Sequence, residues 1–235
     1  MNKDVFGTAI KQFYLTEDET LEIEVFSDLA GDEQIPVSYL FREFEELPEI
    51  EKKALDLCVG KVLDVGACAG VHSLILQEKG MDVTALEKST LACDVLEDRG
   101  VTQIIEQDFL SFKDQKFDTI LLLMNGVGLA GRLENLNSFL LHCKSLLNQN
   151  GKILLDSSDI IYMYEDEDGS YVIDLNDDYY GNMNYTICFE ESELNLDWLY
   201  VSYDLLQDAC NLCGLSIKKI LDGTHYDYLV EIKSI

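Results

Sequence analysis

Bases are scarce in this 235-residue chain: 17 Lys and Arg stand against 45 Asp and Glu, for a formal charge of −28. A surface of that sign repels phosphate backbones and anionic membranes, and no local basic patch relieves it, so nucleic acid is not expected as a partner. An acidic, soluble proteome accounts for the charge more simply than selection for a cationic ligand. No stretch approaches the ~18 consecutive apolar residues of a membrane helix. The opening residues lack the apolar core of a secretion signal, which points to the cytoplasm. Cysteine is present but badly spaced for metal. Cys210 and Cys213 form a lone CxxC with no second pair or histidine couple to complete a zinc set, so no metal is expected. They extend an apolar helical stripe begun by Leu206 and Ala209, and burial explains them.

What is present is a regular rhythm after Gly60. Lys61–Val65, Asp82–Leu86, Val101–Glu106, Phe117–Leu123 and Lys152–Asp156 read as strands. Helices are expected near residues 70–79, from a Ser89 cap to Arg99, and over 132–147. Alternating strands and crossover helices imply a parallel sheet covered on both faces. After a Ser202-capped helix come two last strands, near Leu215–Leu221 and Tyr226–Ile232. Their short connection makes them antiparallel neighbours. Residues 58–235 therefore read as one α/β domain, interrupted at about 157–200. There Ser170–Leu175 and Asn184–Glu190 read as an inserted antiparallel hairpin, with a loop over 176–182. Residues 1–57 read as a cap or lid segment. It holds a short strand at 21–26 and helical spacing from Val37 to Leu57, interrupted by Pro48.

The chemistry concentrates at the carboxyl ends of the first strands, where open α/β sheets bind ligands. The turn after the first strand reads Asp64-Val-Gly-Ala-Cys-Ala-Gly70. Its glycines let a ligand approach the backbone and leave amides at the helix start. The second strand ends in Glu87, followed by Lys88, where an acid can accept from both hydroxyls of a ribose. The third ends in Asp108 and Phe109. A dinucleotide loop wants further glycines where Cys68 and Val71 stand, and the Asp64 charge opposes a pyrophosphate. The same carboxylate suits a ligand carrying an ammonium and a sulfonium. Local roles compete with these: Asp64 as a turn cap, Asp108 as a loop start, Phe109 as core.

These residues resemble the signatures of class I S-adenosylmethionine-dependent methyltransferases, in a type 11-like pattern, with Cys68 replacing the middle glycine. The resemblance covers residues 60–157 and implies a Rossmann-like, doubly wound, seven-stranded, mostly parallel sheet with an antiparallel last strand. It implies S-adenosylmethionine as cofactor, with Asp64, Gly66, Ala67, Cys68 and Gly70 at its loop. Glu87 and Lys88 would stand at the ribose, and Asp108 and Phe109 at the adenine. Met124 and Asn125, ending the fourth strand, would lie near the transferred methyl. The acceptor is expected to be a small molecule, because the Asn/Asp-Pro-Pro-Tyr pattern of amino-methylating enzymes acting on nucleic acids is missing. Tyr39, Arg42, Tyr179, Tyr180 and Trp198 are candidate acceptor-side residues; no general base is identifiable. Arg42 could reach the cofactor carboxylate from the cap but reads more simply as a surface ion pair with Glu45 or Glu46. His72 could be a base or contact the cofactor but reads more simply as a solvated or capping side chain. A nicotinamide-dependent oxidoreductase and a non-catalytic S-adenosylmethionine-binding protein are the alternatives.

Overall fold

A computed structural model describes residues 4–27, 29, 31–113, 115–166, 168–171, 173 and 178–235. Its body is a seven-stranded sheet. The first five strands in chain order are β3 (Lys61–Val65), β4 (Asp82–Glu87), β5 (Ile104–Glu106), β6 (Phe117–Leu122) and β7 (Leu147–Ser158). The chain closes the sheet with β10 (Leu215–Asp222) and β11 (Asp227–Ser234), giving the spatial order β10-β11-β7-β6-β3-β4-β5. Only β11 runs against its neighbours, antiparallel to both β7 and β10. The strand order reverses at β3, where β4 and β6 lie on its two sides. That is the switch point at which an open sheet forms a ligand crevice.

Two apolar layers cover the sheet. On one side α5 (Leu136–Ser145) and α6 (Tyr203–Leu212) bury Phe139, Leu140, Leu206 and Cys210 against Leu63, Ile120 and Ile153. On the other, α2 (Glu49–Leu57) and α3 (Val71–Glu78) bury Ile50, Ala54 and Leu76 against Val62, Leu121 and Leu154. The run from Val37 to Leu57 is not one helix. It is two short 3-10 turns, at Val37–Phe41 and Phe44–Glu46, followed by α2. Arg42 and Leu47 are extended between these pieces, and Pro48 supplies the N-cap position of α2, where its missing N–H costs nothing.

The amino-terminal segment is less helical than its spacing suggests. It opens with α1 (Val5–Thr16), which the apolar pattern does not announce. A hairpin of β1 (Glu22–Ser27) and β2 (Gly31–Pro36) follows. That hairpin joins one from the insertion, β8 (Asn182–Phe189) and β9 (Ser192–Leu199), in a four-stranded antiparallel sheet ordered β2-β1-β8-β9. The inserted hairpin is therefore real but displaced. Its partner strand is 192–199, not 170–175, because the tight Glu190-Glu191 turn closes it directly. Residues 172 and 174–177, which carry half of the expected strand and part of its loop, lie outside the described residues. Glu165 and Tyr171 form an isolated bridge just before them.

The small sheet buries Ile23, Val25, Ile187 and Phe189 against Ile10 and Phe13 of α1. The same cluster includes Ala69 of the glycine loop and Ala92 and Val95 of α4 (Thr90–Asp98), so it packs on the glycine-loop edge of the large sheet. Among the described residues no helix is long and apolar enough to cross a membrane.

Candidate active site

The loop leaving β3 turns sharply enough to demand left-handed backbone. Gly66, Cys68 and Gly70 all have positive φ, at 71°, 56° and 89°. At Gly70 a Cβ would also strike Leu96 at 2.7 Å, so glycine is required twice over. Cys68 accepts a conformation that L-residues enter reluctantly, and Glu87 stabilises it: one carboxylate oxygen accepts from the Cys68 amide at 2.9 Å. The other oxygen accepts from the Lys88 and Ser89 amides, at 2.8 and 2.9 Å. Glu87 thus fastens the end of β4 to the glycine loop and is not merely a free arm at the sheet edge. Its side chain is half-buried. Gly66 and Ala67 are held by their amides on the Leu86 carbonyl, at 2.8 and 3.2 Å. Nothing lies within 4 Å of where a Gly66 Cβ would project, so the loop faces open space there.

Asp64 is buried, accepting from the Ser73 hydroxyl at 2.6 Å, and desolvation raises its pKa against the opposing pull of His72 and Ser73. Asp108, exposed at the end of β5, caps the turn Phe109–Ser111 through the Leu110 amide at 2.9 Å. Phe109 points into the core, its ring edge-on to Phe139 and His142. Leu110, which no sequence motif marks, is the apolar side chain left exposed beside Asp108. Lys88 is solvent-exposed.

On the opposite side of β3, Met124 and Asn125 leave β6 with φ of 61° and 57°, two successive left-handed residues. Asn125 Nδ2 donates to the Leu199 carbonyl at 3.0 Å, tying this exit to the small sheet. The next residue's amide, Gly126, donates to Asp156 at the end of β7, at 3.0 Å. Burial, first among the causes, pushes the Asp156 pKa up to about 6.

Arg42 makes no surface pair with Glu45 or Glu46. It is 9% exposed and forms a two-pronged pair with Glu51 at 3.2 and 3.3 Å. Its guanidinium lies 3.6 Å from the Tyr39 ring centroid, and its Nε donates to the Tyr39 carbonyl at 2.7 Å. His72 is neither solvated nor capping, because its Nε2 lies 2.7 Å from the second oxygen of Glu51. Burial works against protonating His72, but the Glu51 hydrogen bond and the Asp64 charge outweigh it and raise its pKa. Glu51 is the residue that sequence reasoning misses; an acid amid the acids of α2 carries no local signal.

The remaining acceptor-side candidates are drawn into packing. Trp198 lies flat against Gly128, where a Cβ would come within 2.0 Å of the indole. Tyr179 packs partly buried against the main core, and Tyr180 donates its hydroxyl to Asp159 at 2.8 Å. Tyr39 keeps 40% of its surface exposed. The Tyr185 and Tyr200 hydroxyls are 3.2 Å apart, and the Tyr162 ring stacks on Tyr226. Among the described residues, His, Cys, Asp and Glu form no group of three or more placed to hold a metal.

The family model described as a methyltransferase domain matches residues 63–155. A solved S-adenosylmethionine-dependent methyltransferase from Bacteroides fragilis, in complex with S-adenosyl-L-homocysteine, is 39% identical to the chain. The two superpose with a TM-score of 0.92, over 99% of this chain and 95% of that one. The CcbJ methyltransferase from Streptomyces caelestis is 13% identical with a TM-score of 0.64 over 98% of each chain, a likeness that shows the fold alone. No curated protein matches the chain in sequence.

Proposed function

This chain belongs to the S-adenosylmethionine-dependent methyltransferases, and from that footing we propose that it methylates a small-molecule acceptor by in-line displacement at the crevice beside β3. Family membership displaces the nicotinamide-dependent alternative. The observation that carries the site assignment is the open space over Gly66 at the switch point, with Glu87 ending β4 and Asp108 following β5 on one side of β3 and Met124 following β6 on the other. The residues present suit this donor. Glu87 already accepts from three amides and keeps one lone-pair position, on the oxygen that takes the Cys68 amide, for a ribose hydroxyl. Asp108 and Leu110 offer a polar and an apolar contact for adenine. No cationic clamp for phosphate is needed.

The donor supplies a methyl carbon already activated by its sulfonium. The chain's residues therefore have to hold both partners, align the acceptor atom behind the carbon–sulfur bond and exclude water. The glycine loop, from Asp64 to Gly70, fixes the donor. The small sheet with α1 and residues 37–47 forms a cover, and the acceptor enters between that cover and the ends of β6 and β7. Tyr39, Met124 and the tyrosines around Tyr200 line this entrance. A net charge of −28 favours neutral or cationic acceptors over anionic ones.

Calorimetric titration with S-adenosylmethionine and, separately, NAD tests the donor assignment. Tighter binding of NAD would overturn it. Turnover of any acceptor in a broad metabolite panel, read as S-adenosylhomocysteine production, separates an enzyme from a binding protein.

A further inference from the structure

The donor assignment leaves one buried charged cluster without a role. Glu51, 4% exposed on α2, gathers Arg42 from the turn before it and His72 from the first turn of α3. Arg42 in turn reaches the Met124 sulfur at 3.7 Å, at the exit of β6. Glu51 therefore connects the amino-terminal segment, the helix that follows the glycine loop and the strand end beside the crevice.

The sheet order says which half of the donor this cluster faces. Glu87 ends β4 and Asp108 follows β5, on one side of β3; Met124 follows β6 and Asp156 lies near the end of β7, on the other. A donor with its ribose at Glu87 and its adenine at Asp108 spans the first side. Its amino-acid end is then left over β3 and β6, where Arg42, His72 and Asp64 stand. That end is a zwitterion, and this cluster offers charges of both signs.

We propose that Glu51 is a positioning residue for the amino-acid half of the donor, acting by holding Arg42 and His72 in place beside the glycine loop. The inference rests on the donor assignment above. A guanidinium has five N–H donors in one plane. Glu51 takes two, the Tyr39 carbonyl a third and the Met124 sulfur a fourth, so the fork is fixed in orientation with one donor left for a carboxylate oxygen. Stacking on Tyr39 removes the other freedom of the head group. Without Glu51, Arg42 and His72 lose the acceptor they share, and with it the contact that sets their relative geometry.

The test uses two probes that differ only beyond the thioether sulfur. S-adenosylhomocysteine carries the amino-acid chain, whereas 5′-methylthioadenosine carries a methyl group in its place. Wild type, Glu51→Gln, Arg42→Lys and Glu87→Ala are titrated with each, and melting is followed in parallel. Glu51→Gln and Arg42→Lys should each bind S-adenosylhomocysteine about tenfold more weakly, the loss expected of one charge-assisted bond. Both should hold methylthioadenosine within about twofold of wild type, while Glu87→Ala weakens both probes alike. Equal losses for the two probes in both cluster variants would make Glu51 a purely structural residue and overturn the proposal, as would unchanged affinity for S-adenosylhomocysteine. If wild type binds neither probe, the donor assignment itself fails and this inference falls with it.

Discussion

The two sheets of this protein are held together by different kinds of information. In the large sheet three of the four parallel pairs join strands consecutive in the chain, as β3 and β4 do across α3, and the fourth, β3 with β6, reaches across β4 and β5. In the small sheet the central pair joins β1 to β8, with Val25 opposite Ile187. More than a hundred residues, including the whole glycine-loop half of the large sheet, lie between those two. A pairing of that reach closes a long loop and depends on surfaces that exist only once the large sheet has formed. The small sheet is therefore the dependent partner.

Removing residues 1–35 should break this comparison open with the largest effect. It takes away α1, β1 and nearly all of β2, and with them Val5, Ile10, Phe13, Ile23 and Val25, all under 10% exposed. Each such side chain contributes roughly 1.5–3 kcal/mol by burial. Amide exchange protection should vanish from β8 and β9 and persist in β3, β6 and β7. Because the lost cluster also packs on Ala69, donor affinity should fall together with activity. Survival of protection in β8 and β9 would show that the insertion folds by itself.

The contrast also explains which features are legible in the sequence. Ser89 and Ser202 are recognisable helix caps, and both accept from the amide three residues on. The reversed last strand follows from a connection too short for a crossover. The β1–β8 pairing has no such local trace, nor does α1, whose apolar face is ordinary and meaningful only against the small sheet. At the site, the backbone-determined parts are legible: glycines at positive φ and acids at strand ends. Side-chain partnerships are not. Sequence proximity matches Arg42 to Glu45 and Glu46, yet Glu51, further along in α2, makes the pair because burial excludes water from it.

Asp156 sharpens the comparison where the large sheet meets the small one. Its pKa in the folded protein is pushed up to about 6, above the ordinary 3.8, chiefly by burial. Folding therefore costs free energy whenever this group must ionise: the penalty is full above about pH 6 and fades as pH falls toward 4. Asp156→Asn keeps an acceptor for the Gly126 amide and removes the ionisation. Denaturant unfolding at pH 8 should show about 2–3 kcal/mol more stability than wild type, since each tenfold change in proton affinity is worth ~1.4 kcal/mol. At pH 4 most of that difference should be gone. A gain that persists undiminished at pH 4 would mean that burial of the charge is not the cause.

A smaller loss is expected at the donor side. Glu87→Ala should weaken S-adenosylmethionine binding by at least about tenfold, as bonds to a charged acceptor are worth roughly 1.5–3 kcal/mol. The structure adds a second consequence. Because Glu87 accepts from the amides of Cys68, Lys88 and Ser89, the unliganded protein should also melt lower. An unchanged melting temperature with weakened binding would mean that those three amides find other acceptors.

The smallest effect concerns the polar contact that brackets α1 against α4. Lys11 and Asp94 approach to 2.6 Å, yet their side chains remain 37% and 50% exposed. Water screens such a pair, and ordering two flexible side chains offsets most of the attraction, so exposed pairs contribute roughly 0.2–1 kcal/mol. Asp4 makes a less exposed link nearby: it caps α1 through the Gly7 amide and accepts from the Ser89 hydroxyl at 2.6 Å, while Ser89 itself caps α4. Two helix starts thus share one carboxylate–hydroxyl contact, and the docking geometry is set there and by Ala9, Ile10, Ala92 and Val95. In a double-mutant cycle, Lys11→Ala and Asp94→Ala should couple by less than about 1 kcal/mol, and the coupling should shrink further in high salt. Removal of the Ser89 hydroxyl should cost more, because it takes a hydrogen bond from Asp4 and the cap from the Ala92 amide. A Lys11–Asp94 coupling that exceeded the Ser89→Ala loss would mean that surface charge, not the shared cap and the apolar cluster, holds the small sheet to the large one.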